Sequence, residues 1–497
     1  MSNINFRNIP ASGIFAPGTY IEFDPSKGGF GQAPRRALVI GQTINAVAAV
    51  PTFVASGAQA QALCGIASGV ARAASTWKAN NQDIETWVLP LADNGSGTAA
   101  TGTIAFTGPA TENRTLPLYI AGRSVPVTVT SGMTATQLAT AVVAACATVP
   151  DLPVSAASST GTVTFTALNK GTLGNFIDIR FAYYGLRGGE QMPAGISATI
   201  TAMASGATDP VLTGIAALLG DMLFDYIIWP YGASGALTTL KSMMNDSSGR
   251  WAYNRQDWGH AFAPEFGTGS SGPATFTSGL VASNPGQNDQ HTTLPALFNS
   301  PNPPEEVLAG TVAACAGIFR DDPNRPLSGV VVQGVLAPAM SDMFDWNTRN
   351  TLLANGFGTY RRGAGGVLLV DRLPVSYLLN SSGIQDRVYF DTGYLYALML
   401  VARTLRGVVP DGSKIADDGT RLKPGSNTLT PSSIRGLCIA AYAGLVDAEV
   451  CDRETDFAAN LIVQRNTSDP FRCDILYPPY VIPGLQVIAA LVQPRQG

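Results

Sequence analysis

Apolar and polar residues alternate in two rhythms along this chain, one of period two and one near 3.6, and their order outlines a fold. Thr19, Ile21 and Phe23 share one side of a short alternating run that also contains Tyr20, behind the helix breakers Pro10, Pro17 and Gly18. Residues 1–25 are therefore expected as an extended arm, followed by a flexible loop at 26–31. An α/β pattern comes next. Residues 36–41 read as a buried strand ended by Gly41, the Ala-rich segment 59–78 as one helix, and 84–90 as the next strand. Strand, helix, strand is the order of a layered sheet.

At 93–97 the composition shifts to Thr, Val, Gly and Ser, with short alternating runs at 101–107, 125–130, 161–167 and 196–202. One helix interrupts them at 134–147, opened by Thr134 and Gln137 in capping-box spacing. This predicts a β-rich insertion over 93–206. The α/β pattern then resumes, with helices at 209–219, 237–245, 304–319 and 341–354. Strands are expected at 224–230, 259–263, 293–298, 330–334 and 367–370. Pro and Glu residues at the start of 304–319 suit a helix opening.

Two longer helices are expected at 387–405, with Tyr394, Leu395, Leu398, Met399 and Ala402 in one stripe, and at 431–446, capped by Ser432 or Ser433. The last forty residues return to period two. Residues 460–465 and 472–477, parted by the polar cluster 466–470, give a hairpin signal with Cys473, Ile475 and Tyr477 on one face. Pro478 and Pro479 stop pairing because neither offers an N–H. Beyond Pro483 and Gly484, the run 485–492 reads as a detached strand that can pair at home or on another molecule.

Several of these stretches carry a resemblance. Ala416-Asp417-Asp418-Gly419-Thr420-Arg421, Thr430-Pro431, Leu461-Ile462-Val463-Gln464-Arg465-Asn466, Asp469-Pro470 and the closing apolar strand resemble the tail sheath protein of contractile-tailed, Mu-like phages. Ile9-Pro10 and Pro17-Gly18-Thr19-Tyr20-Ile21-Glu22-Phe23-Asp24 resemble the amino-terminal arm of that family. The match is closest over the first twenty-five residues and from about Asp386 onward; the middle agrees only in order of elements.

Composition fits a protein covered by neighbours. Of 497 residues, 45% are apolar and 13% charged. Such a chain is not disordered by charge, and its poverty in charge suggests that other subunits cover much of the surface. An Ala/Gly-rich soluble enzyme is the alternative. The net charge of -4, from 35 acids and 31 bases, gives no basic footprint for nucleic acid. Cys64, Cys146, Cys315, Cys438, Cys451 and Cys473 form no C-x-x-C pair and are expected as buried free thiols in a reducing cytosol. The longest apolar run, near 394–402, is far short of the roughly 18 residues of a membrane span. With no basic-then-apolar leader, the protein is expected to stay in the cytoplasm until released.

Candidate chemistry is sparse. Gly267, Gly269 and Gly272 formally match G-x-G-x-x-G, but Pro273 stands where a dinucleotide fold opens its helix, so a polar loop is expected. His260 and His291 cannot build an H-E-x-x-H or Cys/His set; Asp257 or Glu265 are available partners, and surface or interface positions are expected. Asp411, Asp417 and Asp418, with Gly412 and Gly419, lack EF-hand spacing and read as a solvated turn. Trp77, Trp87, Trp229, Trp251, Trp258 and Trp346 are expected in the core or at subunit interfaces. Arg361, Arg362, Arg403 and Arg406 fit contacts to a tube or neighbour and fit ordinary snorkelling equally. No catalytic, cofactor-binding or metal-binding residue is assigned.

The resemblance implies an α/β (α+β) multidomain protein. Its layered sheath core spans 26–92 plus 207–372, and the inserted β-rich domain, 93–206, points outward. A sheath-type domain at 373–478 ends in the hairpin, and extended arms occupy 1–25 and 479–497. It implies a structural virion protein, not an enzyme, that needs no cofactor or metal. Subunits would form a homo-oligomer of six-fold rings stacked helically around a tail tube protein. Baseplate and tail terminator proteins would be further partners, with no direct nucleic-acid contact and no membrane insertion. Its place would be the phage tail, after assembly in the host cytoplasm. The terminal arms suggest inter-subunit strand exchange. The hairpin, through Leu461, Val463, Ile475 and Tyr477, would receive the arm strand Thr19, Tyr20, Ile21 and Phe23 of one neighbour. It would also receive the strand Leu485, Val487, Ile488 and Leu491 of another, with joints at 28–31 and 478–484. Two rivals stand beside this reading: the sheath of a phage-derived bacteriocin or injection system, and an α/β nucleotide-binding enzyme using the 267–272 loop.

Overall fold

The computed structural model describes residues 35–283, 288–423 and 425–495. The arm strand with Thr19, Tyr20, Ile21 and Phe23, and the joint at 28–31, lie outside the described residues. At the centre is a ten-stranded sheet. Its heart is parallel, in the spatial order Glu85–Leu91, Arg36–Gln42, Tyr226–Ile228, His260–Phe262, Thr292–Phe298, Phe357–Arg362. Val367–Arg372 and then Val331–Leu336 extend one side antiparallel, and Thr52–Phe53 extends the other. Every residue of Thr292–Phe298 is buried, as expected of a strand covered on both faces.

Helices cover both faces, which makes the architecture a layered α/β one. On one face Gly69–Asn80, Pro304–Asp321 and Thr392–Arg406 bury Trp77, Val307, Phe319 and Tyr396. On the other, Ser234–Met244, Gly272–Ser283 and Trp346–Ala354 bury Leu237, Leu240, Leu280 and Leu352.

Several expected boundaries move. The helix expected at 59–78 is two helices, Gly57–Cys64 and Gly69–Asn80. Gly65 ends the first at φ +92, a conformation open to glycine, and the Ser68 hydroxyl accepts the Ala71 N–H to start the second. The helix expected at 209–219 is reduced to Ile215–Leu219. The one expected at 341–354 starts at Trp346, where Asp345 accepts the Thr348 N–H at 2.7 Å. The one expected at 387–405 starts at Thr392, because bridges such as Pro374 to Asp391 hold the preceding chain extended. Thr430, not Ser432 or Ser433, caps Pro431–Asp447, and Ser433 answers it in a capping box.

Residues 99–204 have a core of their own, containing Leu116, Leu118, Val127, Leu138, Val142 and Phe165. A four-stranded and a three-stranded sheet enclose the helix Ala135–Cys146, which opens with the Thr134–Gln137 capping box. The two ends of this unit meet: Thr98 donates to the Ala207 carbonyl at 3.0 Å, and Ala207 returns a bond at 3.2 Å.

The insertion is docked on the core through polar side chains. Gln42 donates to Asp93 at 2.6 Å, Arg180 to the Asn299 carbonyl at 3.0 Å, and Tyr183 to the Ala337 carbonyl at 2.8 Å. The fully buried Glu306 pairs with Arg72 of the core and lies 3.5 Å from Arg123 of the insertion. Gln42 ends one parallel strand and Asn299 directly follows another. Open α/β sheets bind ligands in the crevice at these strand ends. Here the inserted unit fills it.

Candidate functional site

The hairpin stands on a helical base. Pro431–Asp447 and Glu454–Asn460 pack together with Thr392–Arg406 around Ala397, Val401, Ile434, Cys438, Tyr442, Leu445 and Phe457. The rings of Tyr442 and Phe457 stack at 3.7 Å and 5°, and Tyr477 meets both edge-on. Burial raises the Tyr477 hydroxyl above its ordinary range, so the ring is held as a neutral phenol.

Ile462–Arg465 and Cys473–Leu476 pair antiparallel, with Val463 opposite Ile475 and Ile462 opposite Leu476. The turn is built by Asn466, whose Oδ1 accepts the Ser468 and Asp469 N–H groups at 2.8 and 2.9 Å. Alternation gives the hairpin two faces. Leu461, Val463, Ile475 and Tyr477 all face the base, Leu461 fully buried and the others half-buried. Ile462 and Leu476, unmarked in the sequence reading, are the apolar pair turned outward, 51% and 59% exposed. Among the described residues the hairpin is a sheet of two strands. Each strand therefore has one outer edge outside the ladder, and such an edge is a template for another strand.

The tail leaves this site in two stages. Tyr480 and Ile482 are tied down: Asp452 donates to the Tyr480 carbonyl at 2.8 Å and Ile482 to the Val450 carbonyl at 3.1 Å. The Tyr442 hydroxyl donates to the Asp452 carbonyl at 2.6 Å and accepts the Tyr480 N–H at 3.0 Å. The joint expected across 478–484 therefore narrows to Pro483 and Gly484. Gly484 approaches the Asn324 carbonyl so closely that an added Cβ would lie 2.4 Å from it. Beyond this point the chain forms no ladder at home, contrary to a strand paired within the subunit. Leu485, Val487, Ile488 and Leu491 stand 69%, 77%, 79% and 84% exposed.

The candidate catalytic features resolve into structure. Both histidines are buried, not at the surface, because each lies in or beside a central strand. His260 Nε2 is 2.8 Å from Thr293 Oγ1, and burial holds its pKa well below the ordinary range, so the ring is neutral. His291 Nε2 lies 3.2 Å from Asp246. A helix does open at Gly272, after the strand Glu265–Gly267, contrary to the expected plain loop. Pro273 is compatible with a first helical turn, where its missing N–H costs nothing. The three glycines nevertheless have local reasons. A Cβ on Gly267 would meet the Phe276 ring at 2.5 Å, and Gly269 and Gly272 have φ of +112 and +81. The Asn299 side chain brackets Gly269, accepting its N–H at 2.9 Å and donating to its carbonyl at 3.0 Å.

The acidic turn is also engaged. Arg465 donates to Asp417 at 2.8 Å, and Asp418 accepts the Ser432 N–H at 3.0 Å at a helix start. Arg403 binds Asp225, Arg361 binds Asp371, and Arg362 covers the Tyr183 ring. Trp77 and Trp229 are fully buried, while Trp346 is exposed. All six cysteines are free thiols, Cys473 half-buried and the rest buried. Among the described residues no group of three or more His, Cys, Asp or Glu is placed to hold a metal ion, and no helix is long and apolar enough to cross a membrane.

Comparison with known proteins places these features. Residues 205–372 match the family described as phage tail sheath protein central domain. The chain is 34% identical over 499 residues, 99% of each chain, to the Mu-like prophage FluMu tail sheath protein of Haemophilus influenzae. Among solved structures it is similar to a sheath tail protein of Desulfitobacterium hafniense (TM-score 0.47, 11% identity, 94% of this chain and 100% of that one). It is also similar to one of Listeria innocua (TM-score 0.46, 12% identity, 91% and 96%). The helical sheath of the anti-feeding prophage in its contracted state is similar to the same degree (TM-score 0.46, 11% identity, 96% and 98%). On the full-length sequence relative, the chain belongs to the tail sheath protein family of Mu-like phages.

Proposed function

We infer that this chain is the repeating subunit of a contractile tail sheath, a structural part of the virion tail that surrounds a tube and shortens to drive it through the host envelope. The 34% identity across 99% of both chains with a Mu-like prophage tail sheath protein carries the reading. Subunits stack as six-fold rings with a helical offset, against a tail tube, a baseplate and a terminator, after assembly in the host cytoplasm. The subunit is not an enzyme. The extended lattice is held by a kinetic barrier, and contraction draws on better burial and pairing in the shorter lattice.

Strand exchange links the subunits. The two-stranded hairpin, with an outer edge on each strand, and a tail that exposes Leu485, Val487, Ile488 and Leu491 both support it. The hairpin receives the tail of one neighbour and the arm strand around Ile21 of another. Main-chain bonds join them without demanding particular side chains. Because donor and acceptor are different surfaces, the contact is heterologous and propagates as a helix instead of closing a dimer. The insertion points outward, away from the tube. Negative-stain electron microscopy of the purified full chain tests the reading. Tubes or stacked rings are expected; a monodisperse monomer at every concentration would contradict it.

A further inference from the structure

The core sheet and the carboxy-terminal hairpin treat their edges differently. Val331–Leu336 is the outermost strand on one side of the core sheet. Asn80 accepts the Gln333 N–H at 2.8 Å and donates to the Gln333 carbonyl at 3.0 Å. Those are the two bonds that a facing strand residue would make. Further along, Asn302 accepts the Leu336 N–H at 2.8 Å, and Tyr183 donates to the Ala337 carbonyl at 2.8 Å. Asn80 is itself steadied, since its Nδ2 also donates to the Thr76 carbonyl at 2.9 Å. The opposite edge, Thr52–Phe53, is two residues long and follows Pro51, too short to template a ladder. On the hairpin, no side chain among the described residues bonds the main chain of Ile462–Arg465 or Cys473–Leu476.

We propose that Asn80 is a gatekeeper of assembly. Its side-chain amide occupies the core-sheet edge at Gln333, so that an incoming β-strand from a second copy pairs with the hairpin and not with the core. The inference rests on the strand-exchange reading and adds which edges are closed to it. Without the amide, Gln333 offers an unpaired N–H and carbonyl beside the half-exposed Val331, and apolar arm strands gain a second place to pair.

The test uses the full chain as wild type, Asn80→Ala and Asn80→Asp, read by hydrogen–deuterium exchange and negative-stain microscopy. In dilute, unassembled protein, exchange of the Gln333 amide is expected to rise roughly tenfold in Asn80→Ala. It should rise less in Asn80→Asp, whose carboxylate still accepts that N–H but loses the bonds donated to the Thr76 and Gln333 carbonyls. On assembly, Asn80→Ala should regain protection over 331–336 and give irregular aggregates beside tubes, while Asn80→Asp gives regular tubes. Regular tubes from Asn80→Ala, with 331–336 still exchanging fast, would overturn the proposal. Failure of wild type itself to polymerise would instead sink the strand-exchange reading beneath it.

Discussion

Arg403, on a helix that packs beneath the carboxy-terminal hairpin, donates to the Asp225 carboxylate at 2.6 Å across 178 residues of sequence. The same oxygen takes Arg35 at 2.8 Å, and the other takes the Arg36 N–H at 2.9 Å. Arg35 directly precedes the central strand Arg36–Gln42. One carboxylate, 1% exposed, thus ties the start of the Arg36–Gln42 strand to the helix Thr392–Arg406.

Arg403→Met should therefore destabilise the subunit. Burial pushes the Asp225 carboxyl up to about 6, with Arg35 opposing, so it is still ionised near neutral pH. Removing one partner leaves a buried charge with a single cation, a loss of about 3 kcal/mol. Urea unfolding at neutral pH checks this; a loss below about 1 kcal/mol would show that the pair is dispensable.

Glu305 predicts a pH dependence of stability. Burial raises its carboxyl from 4.5 to about 7, with Arg72 pulling it back, and its Oε2 has no hydrogen-bond partner. The folded state therefore holds this proton more tightly than the unfolded chain. Its contribution is fully present below about pH 4.5 and is lost as pH rises through about 7. Stability should fall by on the order of 2 kcal/mol across that window from this group, and Glu305→Gln should flatten the curve. Unfolding midpoints that rise toward pH 8 equally in both proteins would refute it.

Tyr442→Phe should loosen the tail root without disrupting the hairpin base. The ring still stacks on Phe457, but the Asp452 carbonyl and the Tyr480 N–H each lose a partner. A cost of about 1–2 kcal/mol is expected. Amide exchange should quicken at Tyr480 and Ile482 while the 462–476 ladder stays protected; equal loss in both places would assign the hydroxyl a role in the whole base.

Replacing 99–204 with a short Gly/Ser bridge should leave a foldable, polymerising chain, because Thr98 and Ala207 already exchange both main-chain bonds. Melting should occur at lower temperature, since Glu306 loses Arg123 and the crevice at the strand ends opens. Microscopy and a thermal melt check the two halves. Loss of folding or of tubes would refute the outward placement.

The hairpin was legible in the sequence because alternation, a polar turn and a double proline all mark it at 460–479. The Thr134 cap was legible for a similar local reason. What failed were places where tertiary context decides. Gly65, Ser68 and Gly69 interrupt an Ala-rich run whose composition alone favours one helix. The strand Arg114–Ile120, not among the runs expected from the sequence, carries Pro117 at its middle, a residue that argues against a central strand. In the structure Pro117 faces Pro126 across the ladder, and alternate antiparallel pairs need no N–H from each other. The burial of His260 is set by its place in the sheet, which no local pattern shows. The docking of the insertion on Gln42, Asn299 and Glu306 joins residues too distant in sequence for a pattern to pair them.

In the proposed strand exchange, the tail beyond Gly484 is needed, along with the arm strand, to link one subunit to the next. The most direct measurement compares the full chain with one ending at Ile482, which keeps the Val450–Ile482 tie. Circular dichroism and the melt should be unchanged, and negative-stain microscopy should show tubes only from the full chain. Tubes of the same regularity from the shortened chain would contradict the account.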